Sequence, residues 1–305
     1  MLRRRLLTSV LFCLGLLTAV GCGNSANQPA GQAPPPLTVG AIPDQDPEQL
    51  QRLYGLLVDY LSETLELPVE YRPVTDYAAA VTAFRVGDLD LVWFGGLTGV
   101  QARLQVEEAQ AIAQRDIDEQ FHSVFIANTD SGLEPIEEQE QLTQLAQRTF
   151  TFGSESSTSG RLMPQYFLQE AGLTLDDFRG NVGFSGNHDA TIKLVESGTY
   201  DVGVLNEQVW EKRLEDGTTD SSKVQVIWRT PPYYDYHWVV NPAVEDRYGE
   251  DTVERIQAAL LALDPSVPEQ AQILELFGAE KFIATENENY RQIEAVGREI
   301  GKIQE

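Results

Sequence analysis

The chain has 305 residues, 42% of them hydrophobic and 23% charged, which suits a soluble globular protein of one large domain or two ordinary ones. Its 47 acidic side chains outnumber its 22 basic ones, and the net charge of −25 argues against nucleic-acid binding and against docking on anionic lipid. With two cysteines and three histidines, no permanent metal or cofactor is expected.

Residues 1–5 carry three arginines, residues 6–20 are apolar, and small residues lead to Cys22. That order reads as a secretory signal over residues 1–21, its apolar run of about 15 residues being short of a membrane helix. Ala19-Val20-Gly21-Cys22 resembles the bacterial lipobox, which implies a lipid on Cys22. Cys13 leaves with the signal, so no intramolecular disulfide is expected. Residues 23–36 lack charge and large apolar groups and end in three prolines, so 22–36 is a lipidated cysteine and its tether.

From there the pattern alternates. Residues 37–42 read as a buried strand. Asp46-Pro47 then offers a cap and a first-position proline for a helix carrying Leu50, Leu53, Tyr54, Leu57 and Leu61 at helical spacing. Residues 69–72 form a strand, Asp76 caps a helix over 77–86, and residues 89–93 form a strand entering Phe94-Gly95-Gly96. A helix from about Thr98 and a strand over 109–113 complete a βαβαβ series, hence a mainly parallel sheet covered by helices.

After a strand at 123–128, a second series follows. Its helices lie at 142–147, 159–171, 188–196 and 208–213, and its strands at 150–153, 182–184, 201–205 and 224–228. A return crossing at 238–240 and a helical remainder close the chain. The expected fold is therefore α/β with two lobes, 37–127 plus 238–305 and 128–237, a hinge between them and a ligand cleft at the carboxyl ends of strands.

Four strand-to-helix junctions point donors at that cleft. Gly153-Ser154-Glu155-Ser156-Ser157-Thr158-Ser159-Gly160 opens a helix, where free backbone N–H groups and the hydroxyls of Ser157, Thr158 and Ser159 form an anion cradle. Gly186-Asn187-His188-Asp189-Ala190 places His188 in a first turn. Asp76-Tyr77 and Phe94-Gly95-Gly96-Leu97-Thr98 are the other two, and Gly95, Gly96 and Thr98 are further candidates for ligand contact.

Thr75-Asp76-Tyr77, Asp90-Leu91-Val92-Trp93-Phe94-Gly95-Gly96, Ser157-Thr158-Ser159-Gly160 with Pro164, and His188-Asp189-Ala190 with Gly198 and Asp201 resemble the periplasmic phosphate/phosphite/phosphonate-binding proteins of ABC importers. The resemblance implies a two-lobe periplasmic binding protein, type II-like. It implies that Tyr77, Ser157, Thr158, Ser159 and His188 hold an oxyanion, with Asn206, Glu207 and Asp235 nearest to the family's acidic positions. It also implies a permease and ATPase as partners, a monomer, and residence in the periplasm or on the outer membrane face. Gly95-Gly96-Leu97-Thr98 with Gln114-Arg115 and Phe121-His122-Ser123 is similar to a branch labelled selenate-binding, so selenate or sulfate stays open as the ligand.

A buried carboxylate accepts a proton from a phosphorus oxyanion but repels fully ionised selenate or sulfate. Whether Glu207 or Asp235 faces the cleft therefore decides between the two. Ser159, His188 and Asp189 are the residue types of a hydrolase triad, but no Gly-x-Ser-x-Gly elbow is present and the adjacent His and Asp diverge on a helix. No catalytic residue is expected. A ligand sensor with the same fold would differ only in its membrane partner.

Overall fold

The computed structural model describes residues 35–304, so the expected signal and the lipid on Cys22 lie outside the described residues. Strands β1 (Leu37–Ala41), β2 (Val69–Tyr71), β3 (Leu91–Phe94) and β4 (Gln110–Arg115) alternate with helices α1 (Pro47–Leu65), α2 (Tyr77–Arg85) and α3 (Gly96–Gln105). The chain then crosses into β5 (Ser123–Asn128), β6 (Phe150–Phe152), α4 (Met163–Glu170), β7 (Gly183–Phe184), α5 (His188–Glu196), β8 (Val202–Asn206), α6 (Glu207–Glu215) and β9 (Val224–Arg229). It returns through β10 (His237–Val240), α7 (Ala243–Tyr248), α8 (Thr252–Leu261), α9 (Pro268–Phe277), β11 (Phe282–Ala284) and α10 (Arg291–Glu299).

Two mixed sheets result, ordered β11-β4-β10-β3-β1-β2 and β7-β6-β8-β5-β9. In the first, β1 pairs parallel with β2 and β3, while β10 inserts antiparallel between β3 and β4. In the second, β6 pairs parallel with β7 and β8, and β5 is antiparallel to β8 and β9. This is the two-lobe α/β architecture that the sequence led us to expect.

The local reasons are those of the sequence. The Asp46 carboxylate accepts from Glu48 N–H at 3.0 Å and Pro47 opens α1, whose buried stripe includes Leu50, Leu53, Tyr54, Leu57 and Leu61. The apolar run of β1 is buried throughout, as a strand covered on both faces requires.

Three expectations change. The first crossing is not at 127/128: β5 pairs wholly within the second sheet, and the crossings are 116–122 and 230–236. They clasp each other at Phe121 and Tyr233, each donating its N–H to the other's carbonyl at 3.0 Å. The all-helical remainder is broken by β11, a three-residue edge strand. Residues 142–147 are not an α-helix; a 3-10 helix spans Gln139–Leu145.

Candidate functional site

Four helix starts meet between the sheets, each capped by a short polar side chain. Asp76 accepts from Ala79 N–H at 2.8 Å, Asn187 from Ala190 N–H at 2.8 Å, Asn206 from Val209 N–H at 3.2 Å and Ser157 from Gly160 N–H at 2.9 Å. The last of these opens not an α-helix but a π-helical turn, Thr158–Leu162, continued by α4. A π-turn widens the backbone locally, and such turns are frequent at functional sites. The tight fit of Gly160 permits it: a Cβ there would lie 3.0 Å from Ser157 Oγ, 3.2 Å from Gly153 Cα and 3.3 Å from His188 Cε1.

Three buried side-chain oxygens in this region have no hydrogen-bond partner: Tyr77 Oη, Ser159 Oγ and Asp235 Oδ2. They come from α2, from the π-turn and from the second crossing, so from both lobes and the hinge. Buried polar atoms are almost always paired, and Tyr77 and Asp235 interact electrostatically while Ser159 follows Thr158, which adjoins Asp235, so these three unpaired oxygens are the candidate ligand contacts. Ser157 adjoins Tyr77, and Thr158 adjoins Asp235.

Asp235 has no exposure, and burial pushes its carboxyl up to about 7. Gly96 N–H donates to Oδ1 at 2.8 Å and works against that rise, as do the Thr158 hydroxyl and the Arg115 guanidinium, while Asp118 adds to it. His237 Nδ1–H donates to the Asp235 carbonyl at 3.0 Å, and its ring stacks on Tyr290 with centroids 3.7 Å apart. The carboxyl is thus held by its backbone and by one oxygen, with the other oxygen open.

His188 is buried and its imidazole is pulled down to about 4 by that burial, so it is neutral. Asn206 N–H donates to Nδ1 at 3.4 Å, which puts the ring hydrogen on Nε2, where it faces Tyr236 Oη at 3.2 Å. Asn206 Nδ2 also reaches Tyr236 Oη at 3.2 Å. His188 and Asn206 therefore line the cluster while their polar atoms brace Tyr236.

Several expected contacts are used elsewhere. Glu207 makes a two-pronged ion pair with Arg229, with Nη2–Oε2 at 2.7 Å, on a partly exposed flank and not in the cluster. Gly96 N–H serves Asp235, Leu97 N–H donates to Thr158 Oγ1 at 2.9 Å, and Thr98 Oγ1 donates to Gly95 O at 3.1 Å. Gly95 leaves room for Thr158 and Asp235, whose oxygens would lie 3.2 and 3.3 Å from a Cβ. The α3 start thus positions the site's side chains. Gln114 accepts from Tyr290 Oη at 2.9 Å, and Arg115 is paired with Asp118 at 2.7 Å while its Nη1 donates to the Phe277 carbonyl at 2.8 Å and to Gln208 of α6 across the lobe boundary.

Two residues were missed. Asp44, in the loop after β1, is buried and its carboxyl is pushed up to about 6 by burial, against the pull of the Tyr236 hydroxyl and Arg115. It lines a cavity of about 10 Å³ with Trp93, Arg115, Asn206 and Tyr236, room for about one water. Tyr236 itself stacks on Trp93 at 5.7 Å and carries Arg115 over its ring at 4.9 Å. Asp44 sits at a strand-to-helix junction of the same kind as the other four, which is the signal that would have found it. Among the described residues, no group of three or more His, Cys, Asp or Glu side chains could hold a metal.

Comparison with known proteins shows the family. A family model described as "ABC transporter, phosphonate, periplasmic substrate-binding protein" matches residues 39–290. The chain is 48% identical over 278 residues to the probable ABC transporter phosphite binding protein PhnD1 of Prochlorococcus marinus, covering 91% of this chain and 94% of that one. The structure of PhnD1 in complex with methylphosphonate superposes with a TM-score of 0.86 at 49% identity, over 88% of this chain and 98% of that one. The phosphate-import protein PhnD of Mycolicibacterium smegmatis is 23% identical over 268 residues, 84% of this chain and 80% of that protein.

Proposed function

The chain belongs to the phosphonate-binding family of periplasmic ABC-transporter substrate-binding proteins, and within that role we propose a small, protonatable phosphorus oxyanion as its ligand. Phosphite and methylphosphonate are the first candidates, in keeping with the relative that is 48% identical. The protein is a solute-binding component and not an enzyme, and its partners are a membrane permease and ATPase. The proposed binding set is Tyr77, Ser157, Thr158 and Ser159 as hydroxyl donors, Asp235 as the acidic member, and His188 and Asn206 as the wall that fixes Tyr236.

The observation that carries this reading is the meeting of two unpaired buried hydroxyls with one unpaired carboxyl oxygen. Hydroxyls donate without charge and so hold an oxyanion that must later be released. A carboxylate and an oxyanion repel unless one proton sits between them. A phosphorus oxyanion brings that proton or shares it with Asp235, whose carboxyl titrates near neutrality. Sulfate and selenate bring none. They require Asp235 to stay protonated, so their affinity falls by about tenfold per pH unit above its titration. Of the features that resemble the selenate-labelled branch, Gln114 is bonded to Tyr290 and Arg115 to Asp118.

The finer points of location and assembly complete the proposal: a lipid on Cys22 tethers a monomer to the outer face of the membrane. Calorimetric titration with phosphite, methylphosphonate, phosphate, sulfate and selenate at about pH 6 and about pH 8 tests the ligand class. Tight binding of a phosphorus ligand at both values, with sulfate and selenate weak and weaker still at the higher pH, is expected. Tight, pH-independent sulfate or selenate binding overturns it.

A further inference from the structure

Asp189 directly follows His188, yet it makes no hydrogen bond to the cluster of Tyr77, Ser159 and Asp235. Its carboxylate is 5% exposed and both oxygens are engaged. Oδ2 accepts from the Asp46 backbone N–H at 2.8 Å, and Oδ1 accepts from Arg213 Nε at 2.6 Å. One residue earlier, His188 N–H donates to the Asp44 carbonyl at 3.0 Å. Helices α5 and α6 belong to the second sheet's lobe, whereas Asp44 and Asp46 sit in the loop between β1 and α1 of the first. The two bonds therefore span the lobe boundary and exist only while the lobes are together.

We propose that Asp189 is an interlobe clasp that sets the residence time of the ligand without touching it. Arg213 lies in the same lobe and keeps the carboxylate oriented whether the lobes are open or closed. Closure then adds one charge-assisted bond from Asp46 N–H, at the amino end of the 19-residue helix α1, where a negative charge is favoured. The clasp sits beside His188 and Asp44, so the ligand wall and the clasp seat together. A contact made only in the closed form shifts the open–closed equilibrium by its own free energy and scales every ligand's affinity by the same factor.

This inference takes the ligand pocket proposed above as given, and its test separates the two. The full chain and its variants are titrated with phosphite and methylphosphonate, and dissociation is followed by stopped-flow displacement. For Asp189→Ala the expected result is a Kd raised by about tenfold or more, by the same factor for both ligands, through faster dissociation with an unchanged association rate. A second pair of variants avoids the buried carboxylate altogether. Asp46 has φ −59°, which proline adopts, so Asp46→Pro removes the N–H, while Asp46→Ala removes only the cap to Glu48. Asp46→Pro is expected to release ligand faster than Asp46→Ala.

An unchanged Kd, a loss that differs between the two ligands, or equal dissociation from the two Asp46 variants overturns the clasp. Failure of the wild type to bind either probe counts against the ligand reading instead. In that case X-ray scattering of the ligand-free proteins decides: the clasp predicts a larger radius of gyration for Asp189→Ala, and equal radii overturn it.

Discussion

In the proposed function, selectivity comes down to one proton at Asp235. Its carboxyl is raised to about 7, with one oxygen tied to Gly96 N–H and the other open, and in the proposed reading that open oxygen accepts a ligand hydroxyl and rejects a bare dianion. Asp235→Asn replaces that oxygen by an amide of the same shape that can donate. The variant is expected to bind phosphite and methylphosphonate about tenfold or more weakly and sulfate or selenate more tightly, losing the pH dependence of the latter. Calorimetry at about pH 8 reads the change most clearly, and an unaltered order of preference there would remove Asp235 from the ligand's surroundings. Ser157, Thr158 and Ser159 were legible in the sequence because three hydroxyls at a helix start form a local pattern. Asp235 was reached only through family resemblance. Asp44 shares the strand-to-helix junction signal, but Asp46, two residues on, satisfies the visible cap and drew it away, and Tyr236 reads as one aromatic among several.

Among the elements, the turn at Thr158–Leu162 matters most. Sequence spacing gave a helix from Ser159, and one is present, but its first turn, Thr158–Leu162, coils as a π-turn in which Gly160 packs closely against Gly153 and His188. Any Cβ at position 160 must displace Ser157 Oγ, the backbone of Gly153 or the His188 ring. Gly160→Ala is therefore expected to cost about 1–3 kcal/mol of stability and to weaken ligand binding by about tenfold or more, since Ser157 and Ser159 lose their aim. Thermal melting and titration of the same sample check both, and a variant with unchanged Kd would show that the π-turn does not set the donor geometry. The limits of reading elements from sequence show at β5. Its apolar run identified a buried strand, but nothing local says which of two sheets completes its hydrogen bonds. Likewise β11 has three residues and pairs with only one neighbour, too short a pattern to announce itself.

At the scale of the whole molecule, stability couples to pH through two opposed sets of buried groups. Asp44 and Asp235 titrate at about 6 and about 7 when folded against 3.8 as free side chains, so folding favours their neutral form. Their contribution is fully present below the free value and is lost as pH rises through the folded values. His188 and His237 are pulled below 6.5 by burial, so they contribute above that value and lose it as pH falls. Between about pH 5 and 6.5 the folded chain holds protons on the two carboxyls and the unfolded chain holds them on the two imidazoles. The proton counts nearly match, and these four groups together give an almost flat profile.

Asp235→Asn removes one of the two carboxyls and breaks the balance. Relative to the wild type, the ligand-free variant is expected to gain stability steadily from about pH 4 to about pH 7 and to hold the gain above that. Its ceiling is about 4 kcal/mol, the worth of roughly three pH units. Denaturant unfolding of both proteins across that range measures the difference, which cancels the contribution of the large acidic surface because both chains share it. Parallel curves would mean that the Asp235 carboxyl titrates in the folded protein as it does in the unfolded one. The unmatched oxygen would then cost nothing, and the argument that burial holds it ready to share a proton with the ligand would fail with it.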